Sequence, residues 1–367
     1  MRPVCEVAII GGGLSGLAIA DALHRAGRDW VLLEARDRLG GRILSQSAPG
    51  APDGAQRYDL GPAWAWPHNS RLLGLAERLG VPVFEQYATG RLVFEDGAGR
   101  VRRDLDFQPM AGALRLTGGM RALTDGLAAG LPADRMHIST AVRRVAHRDN
   151  GQLIEDSGGK PILLTKNVIL ALPPRLIDGI SFDPSLPAEV AQALSGIPTW
   201  MAGHAKAVAL YDRPFWREAG LSGSAMSHRG PLAEIHDASP AAGGEGALFG
   251  FIGILADARA AHRTELESAI ISQLTHLFGP CATNPLAVML QDWAAEAETA
   301  VEADRNPPAG HPAYGTAPPL AALAARGLHV AGSEVAAQDG GFLEGALVAA
   351  EAAAAALGGG TRRSLTA

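Results

Sequence analysis

A glycine turn between a short apolar run and an amphipathic segment constrains this chain more than any other feature. Val4-Cys5-Glu6-Val7-Ala8-Ile9-Ile10 is short and rich in branched residues, so it reads as a buried parallel strand rather than an amphipathic helix. Gly11-Gly12-Gly13-Leu14-Ser15-Gly16 follows at once. A helical pattern then opens, with Leu14, Leu17, Ala18, Ala22 and Leu23 on one face and Gly27 as its stop. Trp30-Val31-Leu32-Leu33 is a second strand, ending on Glu34. This order of elements is a dinucleotide cradle: Gly11 permits the tight turn, Gly13 lets backbone approach a pyrophosphate, and Gly16 lets helix and strand pack closely. The helix start at Leu14 and Ser15 offers free N–H groups and partial positive charge to phosphates. Glu34 stands where a carboxylate accepts hydrogen bonds from a ribose hydroxyl pair. By itself the cradle leaves NAD and FAD both open.

Ala35-Arg36-Asp37-Arg38-Leu39-Gly40-Gly41-Arg42 comes next, and its paired glycines and flanking arginines make a second place where backbone and guanidinium meet phosphate. Arg38 to Arg42 resembles the RxGGR signature of the flavin amine oxidase family, the relatives of monoamine and polyamine oxidases. The resemblance implies FAD, with Ala35, Arg36, Gly40, Gly41 and Arg42 among the residues that bind it. Further along, Tyr58 to Arg71 resembles the family's D-L-G-x-x-aromatic segment beside the flavin, which implies Gly61, Pro62, Ala63 and Trp64 near the ring system. Trp64 and Trp66 read equally well as core aromatics. Asn69 or Ser70 is the expected cap of the following helix, whose apolar positions are Leu72, Leu73, Leu75, Ala76 and Leu79.

Alternation around Gly97-Ala98-Gly99 predicts a β-hairpin between Val81 and Met110. Larger relatives carry a helical subdomain in this section, and here there is room for little of it. The substrate entrance is then left open, or left to a second copy in a homodimer. Leu116 to Leu123 resembles the G-G-x-x-x-L re-entry into the FAD domain, and Val142 falls where the family's backbone meets adenine. Asn167 to Pro174 is a buried strand stopped by two prolines and resembles the family's V-I-x-A-x-P-P strand, with Pro173 at the cofactor.

Met201 to Tyr211 reads as a strand with Lys206 amid small and apolar residues. A buried ammonium is costly unless paired or hydrogen-bonded, so the position invites a functional reading, while strand alternation also allows a solvated sheet face. The Pro214-Phe215-Trp216 that follows resembles the P-F-W after the lysine that holds a water against the flavin in amine oxidases; the resemblance implies this catalytic role for Lys206. Arg263 to Phe278 has helical spacing of Leu266, Ile270, Leu274 and Leu277. Asp292-Trp293 resembles the end of the substrate domain, with Trp293 approaching the flavin.

Leu328 to Glu334 followed by Gly340 to Ala346 resembles the family's C-terminal pair of motifs, which implies Gly332, Ser333, Glu334, Phe342, Leu343 and Ala346 in cofactor binding. Its helix start would aim N–H groups at the negative end of the flavin. Trp64 and Phe342 are expected as walls of the substrate site, with Phe342 where many relatives have tyrosine. Tyr314 is a candidate for a further wall, a structural role being the alternative. His311 to Gly315 lies where some monoamine oxidases carry a cysteine bonded to FAD; the two cysteines here, Cys5 and Cys281, lie elsewhere, so FAD is expected to be noncovalent.

The fold class implied is α/β: a discontinuous Rossmann-like FAD-binding domain (1–78, 117–196 and 305–360) with a smaller α+β substrate domain (79–116 and 197–304), a mixed sheet flanked by helices, and a loose tail at 361–367. The activity implied is oxidation of an amine to an imine that hydrolyses to a carbonyl, with dioxygen reduced to hydrogen peroxide. A desaturase or dehydrogenase using another electron acceptor, and a non-catalytic FAD-bound interaction protein, are the alternatives. A net charge of -6 gives no pull toward nucleic acid or anionic lipid. No apolar run is long enough to span a bilayer, no metal cluster is evident, and two cysteines argue against a disulfide framework, so a cytoplasmic protein is expected. No arginine stands out as a carboxylate clamp, which favours an amine over an amino acid.

Overall fold

The first apolar run is the strand Val4–Ile10 at the heart of a sheet, in a computed structural model that describes residues 4–52 and 54–357. Val7, Ala8 and Ile9 are fully enclosed, as a strand covered on both faces requires. It runs parallel to Trp30–Leu33 on one side and Pro161–Leu170 on the other. Met136–His137 and Leu328–Val330 extend this parallel arrangement outward, giving five parallel strands drawn from three distant parts of the chain. Pro161–Leu170 begins well before the apolar run at Asn167, and its first half pairs antiparallel with Gly151–Glu155. The parallel strands all end at one edge, so Gly11, Glu34, Ala171 and Ala331 emerge side by side. That edge is where open α/β sheets bind ligands.

A second sheet of seven strands is ordered Ala287–Asp292, Ala205–Tyr211, Gly246–Ile252, Leu232–Asp237, Leu221–Ser227, Arg91–Glu95 and Val101–Leu105. The last two are the expected hairpin. In Ala205–Tyr211 every residue is buried, because the two faces meet different partners. Ala205, Ala207, Ala209 and Tyr211 pack with Ile270, Leu274 and Leu277 of the helix Leu266–Phe278. Val208 and Leu210 pack with Tyr58, Leu60 and Trp293, toward the first sheet. Lys206 shares that second face by strand alternation, which rules out the solvated-face reading.

The helices Leu14–Arg25 and Leu343–Ala356 lie in one core cluster, where Leu17, Ala18 and Ile19 meet Leu347, Ala350 and Ala353. Small residues of the alanine tract thus carry packing. The helix Ser70–Arg78 has Asn69 at its cap position, but no side chain of its own segment caps it. Asn69 Oδ1 instead accepts from the Trp66 N–H at 2.8 Å, closing the preceding turn. The free helix N–H groups go to Glu344, whose carboxylate accepts from Arg71 N at 3.0 Å and Leu72 N at 2.9 Å. An acid at the start of one helix therefore caps another, where its charge also opposes the second helix dipole. The expected tail at 361–367 lies outside the described residues. Glu344→Ala should destabilise the protein by about 1–2 kcal/mol, read as a lower denaturant midpoint; an unchanged midpoint would show that the Ser70–Arg78 helix does not depend on this cap.

Candidate active site

One continuous cavity of about 880 Å³ runs along the edge where the parallel strands end and then under the second sheet. Glu34, Ala35, Arg36, Thr140 and Val142 line one end, and the Gly11–Ser15 turn and Gly40–Arg42 lie midway. Lys206, Trp64, Phe251, Trp293 and Phe342 line the other end.

The middle is shaped by absent side chains. Gly11 has φ 107° and Gly41 φ 57°, both in the region where a side chain is strained. A Cβ on Gly16 would collide with the Gly11 carbonyl, and one on Gly41 would come within 3.1 Å of Gly13 Cα. Backbone therefore meets backbone across the turn, leaving N–H groups for a ligand. The helix Leu14–Arg25 begins after Gly13 with no side-chain cap, so an anion can take its first N–H groups. Glu34 is buried and accepts from Gly12 N at 2.6 Å and Arg36 N at 2.8 Å, which fixes the carboxylate at the cavity wall. Arg36 Nε is buried without a hydrogen-bond acceptor, Glu296 being 3.6 Å away. The free amides of the glycine cradle and the helix start suit an anionic ligand, with the Glu34 carboxylate at the end where a ribose would lie.

The far end is built on Lys206. Its Nζ donates to the Gly61 carbonyl and sits 4.9 Å and 5.1 Å from the ring centres of Phe251 and Phe249. Burial drives its pKa from 10.5 down to about 8, offset only in part by the Asp59 carboxylate. A carbonyl and two ring faces keep the ammonium, and burial away from any adjacent carboxylate is what lowers its hold on the proton.

The model of the flavin containing amine oxidoreductases matches residues 14–112 and 92–358. The chain belongs to that family. A putative flavin-containing monoamine oxidase, AofH, of Mycobacterium tuberculosis is 27% identical, with 79% of this chain and 83% of that protein covered. Putrescine oxidase of Kocuria rosea is 25% identical, with 79% and 82% covered. A solved structure of putrescine oxidase bound to putrescine superimposes with a TM-score of 0.78 at 23% identity, covering 97% of this chain and 99% of that one; a likeness at that identity speaks for the fold. As a flavin amine oxidoreductase the chain uses FAD, and the glycine cradle and the uncapped helix fit that dinucleotide.

Most of the residues singled out in the sequence meet in this cavity, among them Pro62, Ala63, Pro173, Gly332, Ser333, Leu343 and Ala346. Three do not face it. Gly16 stands behind the turn, where its role is helix packing. Glu334 is fully buried and holds Arg42 through 2.6 Å and 3.1 Å hydrogen bonds, so it reaches the cavity only through that guanidinium. Tyr314 donates its hydroxyl to the Pro198 carbonyl at 2.9 Å and lies behind Gly341, whose missing side chain makes room for the ring. The wall expected of Tyr314 is instead Trp200, which stands 6.1 Å from Phe342 between ring centres. His311 stacks on Phe342 at 4.7 Å.

Sequence reading missed Trp200, Phe251, Thr140 and Arg175. Phe251 is paired with Lys206 in the antiparallel register, a fact that strand alternation supports only once the partner strand is known. Trp200 follows Pro198 and Thr199 with no periodic pattern to place it. Glu334→Ala should leave Arg42 without its partner and weaken FAD binding by at least about tenfold, as followed by flavin fluorescence. Unchanged affinity would remove this ion pair from cofactor retention.

Proposed function

We propose that this protein is an oxidase of simple amines, with noncovalently held FAD and dioxygen as the acceptor. Bound FAD supplies the hydride acceptor for the carbon bearing nitrogen, and dioxygen takes the electrons on as hydrogen peroxide while the imine hydrolyses to a carbonyl. The single observation that carries the reading is the buried Lys206 at the aromatic end of the cofactor cavity.

The residues there prepare an amine rather than attack it. Trp64, Phe251, Phe342 and Trp200 give the substrate apolar walls, and the desolvation of an amine lodged between them favours its neutral form. A protonated Lys206 adds like-charge repulsion, so the bound amine gives up its proton and presents a free lone pair. Lys206 has further donors beyond the one given to Gly61, and a water accepting one of them is the arrangement we assign to it.

Four arginines line the cavity among the described residues, and each is paired to a carboxylate of the protein: Arg36 with Glu34 and Glu296, Arg42 with Glu334, Arg143 with Glu298, and Arg175 with Asp304. None is left over to clamp a substrate carboxylate, which supports amines over amino acids. Cys5 is buried in the first strand and Cys281 lies away from the cavity, which supports noncovalent FAD.

Under anaerobic conditions an amine panel should bleach the bound flavin, and admission of air should restore colour with stoichiometric peroxide; a flavin that no amine bleaches contradicts the reading. Lys206→Met should keep FAD bound, slow flavin reduction or reoxidation about tenfold or more, and erase a kinetic ionisation near pH 8. A folded-state pKa of about 8 against 10.5 means that unfolding takes up a proton between these values, so the Lys206 contribution improves as pH rises through that window and Lys206→Met flattens the rise.

A further inference from the structure

Trp64 is held by two devices outside the cofactor site. Its indole Nε1–H donates to Gln86 Oε1 at 2.8 Å. The Gln86 amide has one usable orientation, because its nitrogen donates to the carbonyls of Tyr87 at 3.0 Å and Asp237 at 2.7 Å, leaving only the oxygen to meet the indole. Asp237 is anchored in turn: its carboxylate accepts from Trp216 at 2.8 Å and from Arg217 at 2.8 Å and 2.9 Å. The second device is a layer of rings. The indole meets His236 edge-on at 5.2 Å and Phe249 at 5.3 Å, and His236 is tied by Nε2 to Glu234 at 2.6 Å.

Gln86 is buried, does not line the cavity, and follows the short strand Val83–Glu85 in the stretch too short for a helical cap. Amine oxidation as read above gives it no role. The ring torsion of an aromatic side chain is broad and roughly two-fold, so the torsion itself does not select one indole orientation. A hydrogen bond that only one orientation can make selects it, and losing the bond leaves a part-buried donor unsatisfied.

We propose that Gln86 is a positioning residue for amine oxidation: through the Nε1–H of Trp64 it fixes the indole plane that forms a wall of the substrate cavity, and so sets which amines fit. The inference rests on the amine oxidase reading of this site. Bulky aryl amines depend on the wall most, and small alkyl amines least.

The test uses the FAD-loaded protein and 2-phenylpropan-2-amine, which has no hydrogen on the carbon bearing nitrogen and so binds without being oxidised. Its Kd is read from the flavin absorbance in the wild type, Gln86→Met, Trp64→Phe and the double variant. Gln86→Met should raise Kd about tenfold with FAD content unchanged at a temperature where the variant is folded, its melting temperature falling for the buried hydrogen bonds it loses, and should change Kd less than about twofold once Trp64 is phenylalanine. The same loss in both backgrounds, or no loss in the wild type, overturns the proposal. Should Gln86→Met not fold, hydrogen exchange at the Trp64 indole N–H of the unaltered holoenzyme decides: strong protection supports the bond, and exchange at the rate of free indole overturns it. A panel in which no amine reduces the flavin defeats the oxidase reading but leaves that protection measurable. An unprotected indole in a protein that does oxidise amines defeats the positioning role alone.

Discussion

The site depends on the contact between the first glycine turn and the last one. Ser15, at the start of the first helix, donates its hydroxyl to the carbonyl of Ala331, far away in sequence. Arg42 reaches the same region, held by Glu334 and by Ser333 Oγ at 3.0 Å. With these contacts the ends of Val4–Ile10 and Leu328–Val330 are locked on either side of Pro161–Leu170, and the edge left between them is the floor of the cavity. A carboxylate as enclosed as Glu334 is costly without its guanidinium, so the cradle's closed form depends on this pair.

The second sheet contributes a face rather than a fold of its own kind. Alternation in Ala205–Tyr211 turns alanines toward the helix Leu266–Phe278 and turns Lys206, Val208 and Leu210 toward the first sheet. Small residues on one side let the helix lie close; the large rings of Phe249 and Phe251 on the other give the lysine its surroundings. That placement sets the lysine's charge, since burial lowers its pKa to about 8 while the Gly61 carbonyl and the two ring faces hold the ammonium.

The local parts of this architecture were legible in the sequence. The strand, turn, helix and second strand from Val4 to Leu33 fall where the glycine spacing puts them, because each requirement is met within a few residues. Lys206 was legible as an anomaly, a charge in an apolar strand. What sequence could not supply were pairings between distant segments. Nothing near Ser70 says that Glu344 caps its helix, and nothing near Trp64 says that Gln86 receives its N–H. Glu334 is recognisable by motif, but only the fold shows that it acts on Arg42 instead of facing the cavity. Tyr314 takes the structural one of its two possible roles for the same reason: whether its ring fronts the cavity or lies behind it is decided by the Pro198 carbonyl and the bare backbone at Gly341.

The cavity has the length and lining of a dinucleotide site, from Glu34 and Arg36 at one end to Lys206 at the other. Titration of the flavin-free protein with FAD and with FMN, followed by quenching of flavin fluorescence, tests this most directly. FMN lacks the adenylate half and the second phosphate, so FAD should bind at least about a hundredfold more tightly. Equal affinities for the two would contradict the account, since the glycine cradle and the Glu34 end would then contribute nothing to holding the cofactor.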